Sequence, residues 1–440
     1  MQPKTKAVPS GRLSRIMHLG SLVTRVAGGV VAESVRQYSS GHRPSPKDVL
    51  LTPANLKRVA EKLAHLRGAA MKVGQLLSMD AGDLLPAELS ELLSQLRASA
   101  TPMPMLQLAE VLEQSFGNDW QASFQQFGFT PIAAASIGQV HRAVLLNGQV
   151  VALKIQYPGV AKSIDSDVDN VVSLLKLSRL LPAGLDLTEL IEEAKVQLHA
   201  EADYQQEASH LRYYRDSLVG NPQIRVPEYI PELSTQHVLA MSYEQGEPLE
   251  SVETLSHGIR QQVAEALLSL FFQELFEFRR VQTDPNFANY LYDASTSQLV
   301  LLDFGATRVY SKTICDAYRA LFTAGVQGDS QLMEQAARQI GYFSESVNEG
   351  QVASVMRLFS LALEPLKADH AYDFSSTDLA RRLRDQGMEL SFGQGYWHSP
   401  PVDALFLHRK LAGLYLLFAR LKVKINCQGV LRPWLTHDEQ

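Results

Sequence analysis

Two cysteines, Cys315 and Cys427, are all that 440 residues contain. That is too few for a disulfide framework or a cysteine-built metal site, and a reducing compartment is the expectation. No stretch reaches the roughly 18 uninterrupted apolar residues of a membrane-spanning helix. Residues 16–32 are broken by Arg25 and by small or polar residues, and the apolar run Leu411–Ala419 is too short. No compact apolar centre with a cleavage site marks a secretory signal at the start. No internal repeat is visible either. What is present is a hydrophobic content of 45%, enough for a sizeable core, which excludes disordered, collagenous and coiled-coil classes.

Charge is modest overall, with a net of -6, but it is unevenly placed. Residues 1–47 hold eight basic side chains against the single acid Glu33, a net of +7, which leaves 33 basic against 46 acidic groups, or -13, for the rest. In the head, Leu13, Ile16, Leu19, Val23, Val26 and Val30 recur at helical spacing, with Arg12, Arg15, Arg25 and Arg36 off that stripe. Three readings stay open. A basic amphipathic helix can lie in the headgroup zone of an anionic membrane. It can instead pack on the body of the protein, or act as an Arg-rich transit peptide. A nucleic-acid partner is not expected, because the charge follows an amphipathic stripe rather than base-stacking aromatics.

The pattern of breakers and periodicities divides the chain into 1–47, the basic head and linker; 48–127, a helical extension; 128–246, a small α+β unit; and 247–440, a mostly helical unit. Helices are expected over 53–80, 86–97, 105–116, 161–180, 187–218 and 257–280. Strands are expected over 139–145 and 149–156, joined by the hairpin signal Asn147-Gly148, and over 224–230, 237–243, 289–293 and 299–303. Everything after 311 reads as helix and loop.

Four pieces in this order carry chemistry. A small-residue loop, Ala133-Ala134-Ala135-Ser136, is followed by a strand lysine in Val151-Ala152-Leu153-Lys154. Thr283-Asp284-Pro285-Asn286-Phe287-Ala288-Asn289 follows the long helix, and Asp303-Phe304-Gly305 ends a short strand. A strand lysine, a loop Asp with an Asn five residues on, and then Asp-Phe-Gly is the order of a protein-kinase-like phosphoryl-transfer site. The residue types suit the task. A triphosphate needs a cation, here Lys154, and bridging Mg2+ needs hard oxygen ligands, here Asn289 and Asp303. Asp284 is placed to orient or deprotonate a nucleophile. The expected fold is thus α+β, a bilobal protein-kinase-like fold with a helical N-terminal extension and a mostly helical C-lobe, and the expected cofactors are ATP and Mg2+.

Three departures separate the chain from ordinary protein kinases. Alanines replace the glycine-rich loop, and alanine resists positive φ. Gln282-Thr283 stands where His-Arg usually precedes the catalytic Asp. No Ala-Pro-Glu follows Asp303, and only Ala306–Tyr310 leads to the next helix, which leaves little room for the segment that carries a peptide substrate.

With those residues in view, the sequence resembles the UbiB/AarF-domain family of atypical protein-kinase-like proteins, most closely its ubiquinone-biosynthesis-associated branch. The resemblance runs from residue 12 to near the C-terminus. It rests on Lys72-Val73-Gly74-Gln75, the alanine loop, Glu201-Ala202-Asp203 with Tyr204 and Glu207, the Thr283–Asn289 motif and the C-terminal helices with His408-Arg409-Lys410. It implies that Glu207 pairs with Lys154, and that Lys72 and Gln75 lie over the cleft with Glu201 and Asp203 facing that extension. Asp203 and Glu207 are expected to share one helix face. Backbone groups near Met241–Glu244, including Met241 and Tyr243, are expected to meet adenine.

The expected function is an ATPase or small-molecule phosphotransferase supporting ubiquinone or isoprenoid-lipid metabolism at a membrane. A nucleotide-switched, non-catalytic scaffold and a Ser/Thr protein kinase are the alternatives. Expected partners are an anionic membrane surface, an isoprenoid or quinone-like lipid and ubiquinone-biosynthesis proteins, with a homodimer left open. The expected location is cytoplasmic and peripherally membrane-associated, with the matrix face of the mitochondrial inner membrane as the alternative.

Overall fold

A computed structural model of the chain describes residues 68–69, 72–73, 102–177, 188–284, 286–344, 346–390 and 401–435. The basic head, the helix expected over 86–97 and Gln75 lie outside the described residues. Two compact units emerge, one of residues 1–209 with 228–243, the other of residues 210–227 with 244–440.

The first unit begins, among its named elements, with α1 (Met105–Phe116), which starts after Pro104 and stops at Gly117, whose φ is 87°. It buries Leu108, Val111 and Leu112. The sheet comprises β1 (Phe124–Phe127), β2 (Ala133–Ala134), β3 (Gly138–Leu145), β4 (Val150–Gln156) and β6 (Val238–Ser242), in the order β1-β3-β4-β6 with β2 also on β3. Gly148 takes φ 84° in the β3–β4 turn, so the Asn147-Gly148 hairpin forms where the sequence placed it. Alternation along β4 sends Val151, Leu153 and Ile155 into a core with Trp120, Val238 and Ala240. Lys154 therefore emerges on the opposite face.

Helices α2 (Val160–Leu177), α3 (Thr188–Ala202) and α4 (Tyr204–Ser217) follow. A single helix over 187–218 is not what forms. The chain breaks at Asp203, whose Oδ1 accepts hydrogen bonds from the amides of Gln205 at 3.1 Å and Gln206 at 3.0 Å. A carboxylate that satisfies first-turn amides favours a new helix start over continuation. The strand expected over 224–230 is also shorter, only β5 (Ile224–Arg225).

The second unit centres on a sheet of β5, β10 (Gln298–Leu301), β9 (Tyr290–Asp293) and β7 (Glu247–Pro248), in that order. Helix α5 (His257–Gln273) is capped by the Ser256 hydroxyl and runs into a π turn, Glu274–Phe278, which ends at Arg279 with φ 50°. Strand β8 (Arg280–Gln282) then pairs with β11 (Thr307–Val309). Beyond these come α6 (Lys312–Gln327), α7 (Ser330–Ile340), α8 (Glu349–Ala362), α9 (Glu364–Lys367), α10 (Leu379–Met388), α11 (Val402–Leu421) and α12 (Cys427–Leu435). The reading of helix and loop alone after 311 needs correction: β12 (Tyr372–Asp373) pairs with β13 (Lys424–Ile425). Two-residue strands are too short to show alternation in sequence. Among the described residues no helix is long and apolar enough to cross a membrane.

Candidate active site

In the first unit, the Lys154 ammonium donates to both Glu207 oxygens, at 2.6 and 2.8 Å. The pair is deeply enclosed, with Glu207 1% and Lys154 8% exposed. Lys154 also sits 5.5 Å from the ring centroid of Tyr204, a cation over an aromatic face. Tyr204 comes this close because Gly138 has no side chain. A Cβ there would stand 2.4 Å from the Ile155 carbonyl oxygen and 2.8 Å from the Tyr204 hydroxyl.

The alanine segment is the turn of a small hairpin rather than an open loop. Ala133 and Ala134 form β2 against Val140 and Gln139, and the Ala135 amide donates to the Gly138 carbonyl at 3.0 Å. The Ser136 hydroxyl donates to Glu201, and the same carboxylate forms an ion pair with Lys72, itself 5% exposed. Gly68, one turn before Lys72, lies against this segment; a Cβ there would be 2.9 Å from the Ser136 carbonyl oxygen. Lys72, Ser136 and Glu201 thus meet at one point. Asp203 does not join them; it is exposed and caps α4. Since the helix breaks at Asp203, it and Glu207 do not form the i,i+4 pair of one regular helix. Met241 is buried in β6, and the Tyr243 amide donates to the Val150 carbonyl at 3.1 Å.

In the second unit, the Asn289 side-chain amide donates to Asp284 Oδ2 at 3.1 Å, and Arg409 Nη2 donates to Asp284 Oδ1 at 3.4 Å. Thr283 is fastened at both its amide and hydroxyl to the Ala306 carbonyl, at 3.1 and 2.8 Å. Asp303 Oδ1 accepts from the Gly305 amide at 2.9 Å, a tight Asp-x-Gly turn, and the Leu302 amide donates to the Asn289 carbonyl at 3.0 Å. Glu274, Gln282, Asn289, Tyr290 and Asp303 line one small cavity. Asn289 and Asp303 offer an amide and a carboxylate oxygen there, a fitting donor set for Mg2+, which takes few protein ligands and completes its octahedron with water and phosphate.

A buried polar cluster underlies this loop. Lys410 donates to the Gln282 carbonyl at 2.8 Å, to Gln282 Oε1 at 3.2 Å and to the Tyr290 hydroxyl at 2.7 Å. Its ammonium lies 3.8 Å from Glu274, and both side chains are almost wholly enclosed. Glu274 in turn accepts from the Tyr214 hydroxyl at 2.7 Å. Burial raises the Glu274 pKa, with Lys410 opposing; burial would lower that of Lys410, but Glu274 and Tyr290 hold it raised. None of Glu274, Tyr214, Tyr290 or Lys410 stood out as a site residue in sequence. The available signal was the basic run His408-Arg409-Lys410 beside the apolar stretch Leu411–Ala419.

A small antiparallel sheet with a paired lysine, followed by a helical unit with an Asp–Asn loop and Asp-Phe-Gly, defines the protein-kinase-like class. The comparisons narrow the class. The description "ABC1 atypical kinase-like domain" matches residues 95–337. The chain is 39% identical to the mitochondrial atypical kinase COQ8B of Rattus norvegicus over 98% of this chain and 81% of that protein. It is 36% identical to the mitochondrial atypical kinase COQ8 of Saccharomyces cerevisiae over 98% and 86%. A probable serine/threonine-protein kinase, abkA of Dictyostelium discoideum, is 33% identical over 97% and 79%. The Mycobacterium tuberculosis protein Rv3197, solved with erythromycin, matches 85% of this chain and 93% of its own at 22% identity, with a TM-score of 0.59, a likeness of fold alone. This chain belongs to the ABC1 atypical kinase-like family. It is an ATP-dependent atypical kinase-like enzyme, as the resemblance drawn from its motifs implied.

Proposed function

We propose that this enzyme acts on a small molecule, a lipid or quinone precursor, and supports ubiquinone or isoprenoid-lipid metabolism at a membrane, as a phosphotransferase or an ATPase. One observation carries the choice of a small substrate. The residues after Asp303 form β11 against β8, and α6 begins at Lys312. The chain segment on which a peptide lies in a protein kinase has no room there. The likeness to mitochondrial COQ8 proteins supports the metabolic setting.

In this reading Lys154, held by Glu207, meets the phosphates, beneath backbone of Ala133, Ala134, Ala135 and Ser136. Met241 and Tyr243 border the adenine. Asn289 and Asp303 hold Mg2+, which would neutralise charge on the transferred phosphoryl group. Asp284 orients the attacking hydroxyl or water and accepts its proton at a carboxylate oxygen. Lys72, paired with Glu201, would cover the substrate opening. The basic head, 1–47, holds the protein peripherally on an anionic surface.

The test is Mg2+-dependent ATP turnover by the full chain with and without anionic liposomes. Asp303→Asn should abolish turnover, and deletion of residues 1–40 should remove both stimulation and co-sedimentation. Full turnover by Asp303→Asn would overturn the nucleotide-site assignment. Unchanged liposome binding by the deleted chain and at high salt would overturn the membrane role of the head.

A further inference from the structure

The loop bearing Asp284 lacks the His-Arg pair that positions it in ordinary kinases, yet it is firmly held. Besides the Thr283 bonds to Ala306, restraints come from one turn of α11, more than a hundred residues away in the chain. Lys410 fixes the Gln282 carbonyl and side chain and the Tyr290 hydroxyl. Those contacts grip the loop two residues before Asp284 and one residue after Asn289. Arg409 reaches Asp284 itself. The same helix also holds the segment after Asp303. The Arg308 guanidinium donates to Asp403 Oδ1 at 2.9 and 3.1 Å, and the Tyr310 hydroxyl donates to the Asp403 carbonyl at 3.2 Å.

We propose that Lys410 and Arg409, adjacent on α11, are positioning residues that set Asp284 and Asn289 for catalysis, in place of the missing His-Arg pair. The proposal rests on the reading of Asp284, Asn289 and Asp303 as phosphoryl-transfer residues, and adds what aligns them. Two features make a specific role a better account than general packing. A lysine in an enclosed site is costly unless its donors are met, and Lys410 meets three acceptors, all on the strand and residue flanking the Asp284 loop. Arg409 leaves each Asp284 oxygen with a partner, since Asn289 occupies the other. The carboxylate is thereby fixed in rotation as well as place. With α11 bound to both the Asp284 loop and the segment after Asp303, alignment is built into that helix. The enzyme then needs no phosphorylated activation segment to order its catalytic groups.

The experiment compares full-length Lys410→Met, Arg409→Gln, Arg409→Lys and Asp303→Asn proteins for kcat, KM and equilibrium MgATP affinity, with circular dichroism to establish folding. Misplacement of a reacting group by about 1 Å costs on the order of 10²-fold in rate, so Lys410→Met and Arg409→Gln should lose about that in kcat while the MgATP Kd stays within about threefold. Arg409→Lys keeps a cation near Asp284 and should recover about tenfold of the loss. A merely structural role would lower kcat and affinity together, or melt the protein. If Lys410→Met does not fold, Arg409→Gln, at a partly exposed side chain, decides alone. A kcat within about threefold of the parent in folded Arg409→Gln, or equal losses in kcat and affinity, overturns the proposal. Full turnover by Asp303→Asn is a separate outcome: it removes the underlying site assignment, and the positioning proposal with it.

Discussion

The Lys154–Glu207 pair allows stability and function to be separated by design. Its two partners are 53 residues apart in the chain, joined by two short hydrogen bonds, and nearly without solvent. Removing one partner of a buried ion pair costs about 3–5 kcal/mol, whereas replacing both by apolar groups of similar volume is often near neutral. Lys154→Met and Glu207→Leu should each destabilise the first unit by that amount, and the double variant should return to within about 1 kcal/mol of the parent. Urea unfolding can be followed with Trp397→Phe and Trp434→Phe in the background, so that Trp120, packed with Leu153 and Ile155, reports on this unit. The double variant should fold yet show no ATP turnover. Single variants as stable as the parent, or a double variant as unstable as the singles, would refute the reasoning.

Two more expectations follow from the packing. His210 is buried, and burial together with the Arg280 guanidinium, whose Nη1 faces His210 Nδ1 at 3.5 Å, lowers its pKa to about 4. Its folded pKa is depressed, so stability is present above the unfolded value of about 6.5 and is lost as pH falls toward 4, by up to about 3 kcal/mol. Urea titrations at pH 7 and 4.5 should show this loss, and His210→Gln should reduce it; identical slopes in both proteins would contradict the assignment. Gly138→Ala places a methyl 2.4 Å from the Ile155 carbonyl oxygen, in a strand pair that cannot yield without displacing Tyr204. A cost of about 1–3 kcal/mol should appear as a lower thermal midpoint, and an unchanged midpoint would show that the hairpin gives way freely.

The sequence alone determined what depends on neighbours along the chain. The Asn147-Gly148 hairpin follows from a local turn preference, the side of β4 on which Lys154 emerges from a period of two, and the start of the 105–116 helix from the break at Pro102 and Pro104. The spacing of Asp284, Asn289 and Asp303 was likewise readable, because a loop between a helix and two short strands fixes those residues locally. The break at Asp203 was missed, since propensity ran helical through it and only the cap made with Gln205 and Gln206 shows the restart. Other features required the tertiary structure because their partners are remote in the chain. Glu201 finds Lys72 across more than a hundred residues and Ser136 across 65, and Lys410 finds Gln282 from 128 residues away. Such pairs leave no periodicity and no spacing to read. A charged run beside an apolar stretch signals that partners exist, but only the packed fold decides that Lys410 meets the strand leading into the Asp284 loop.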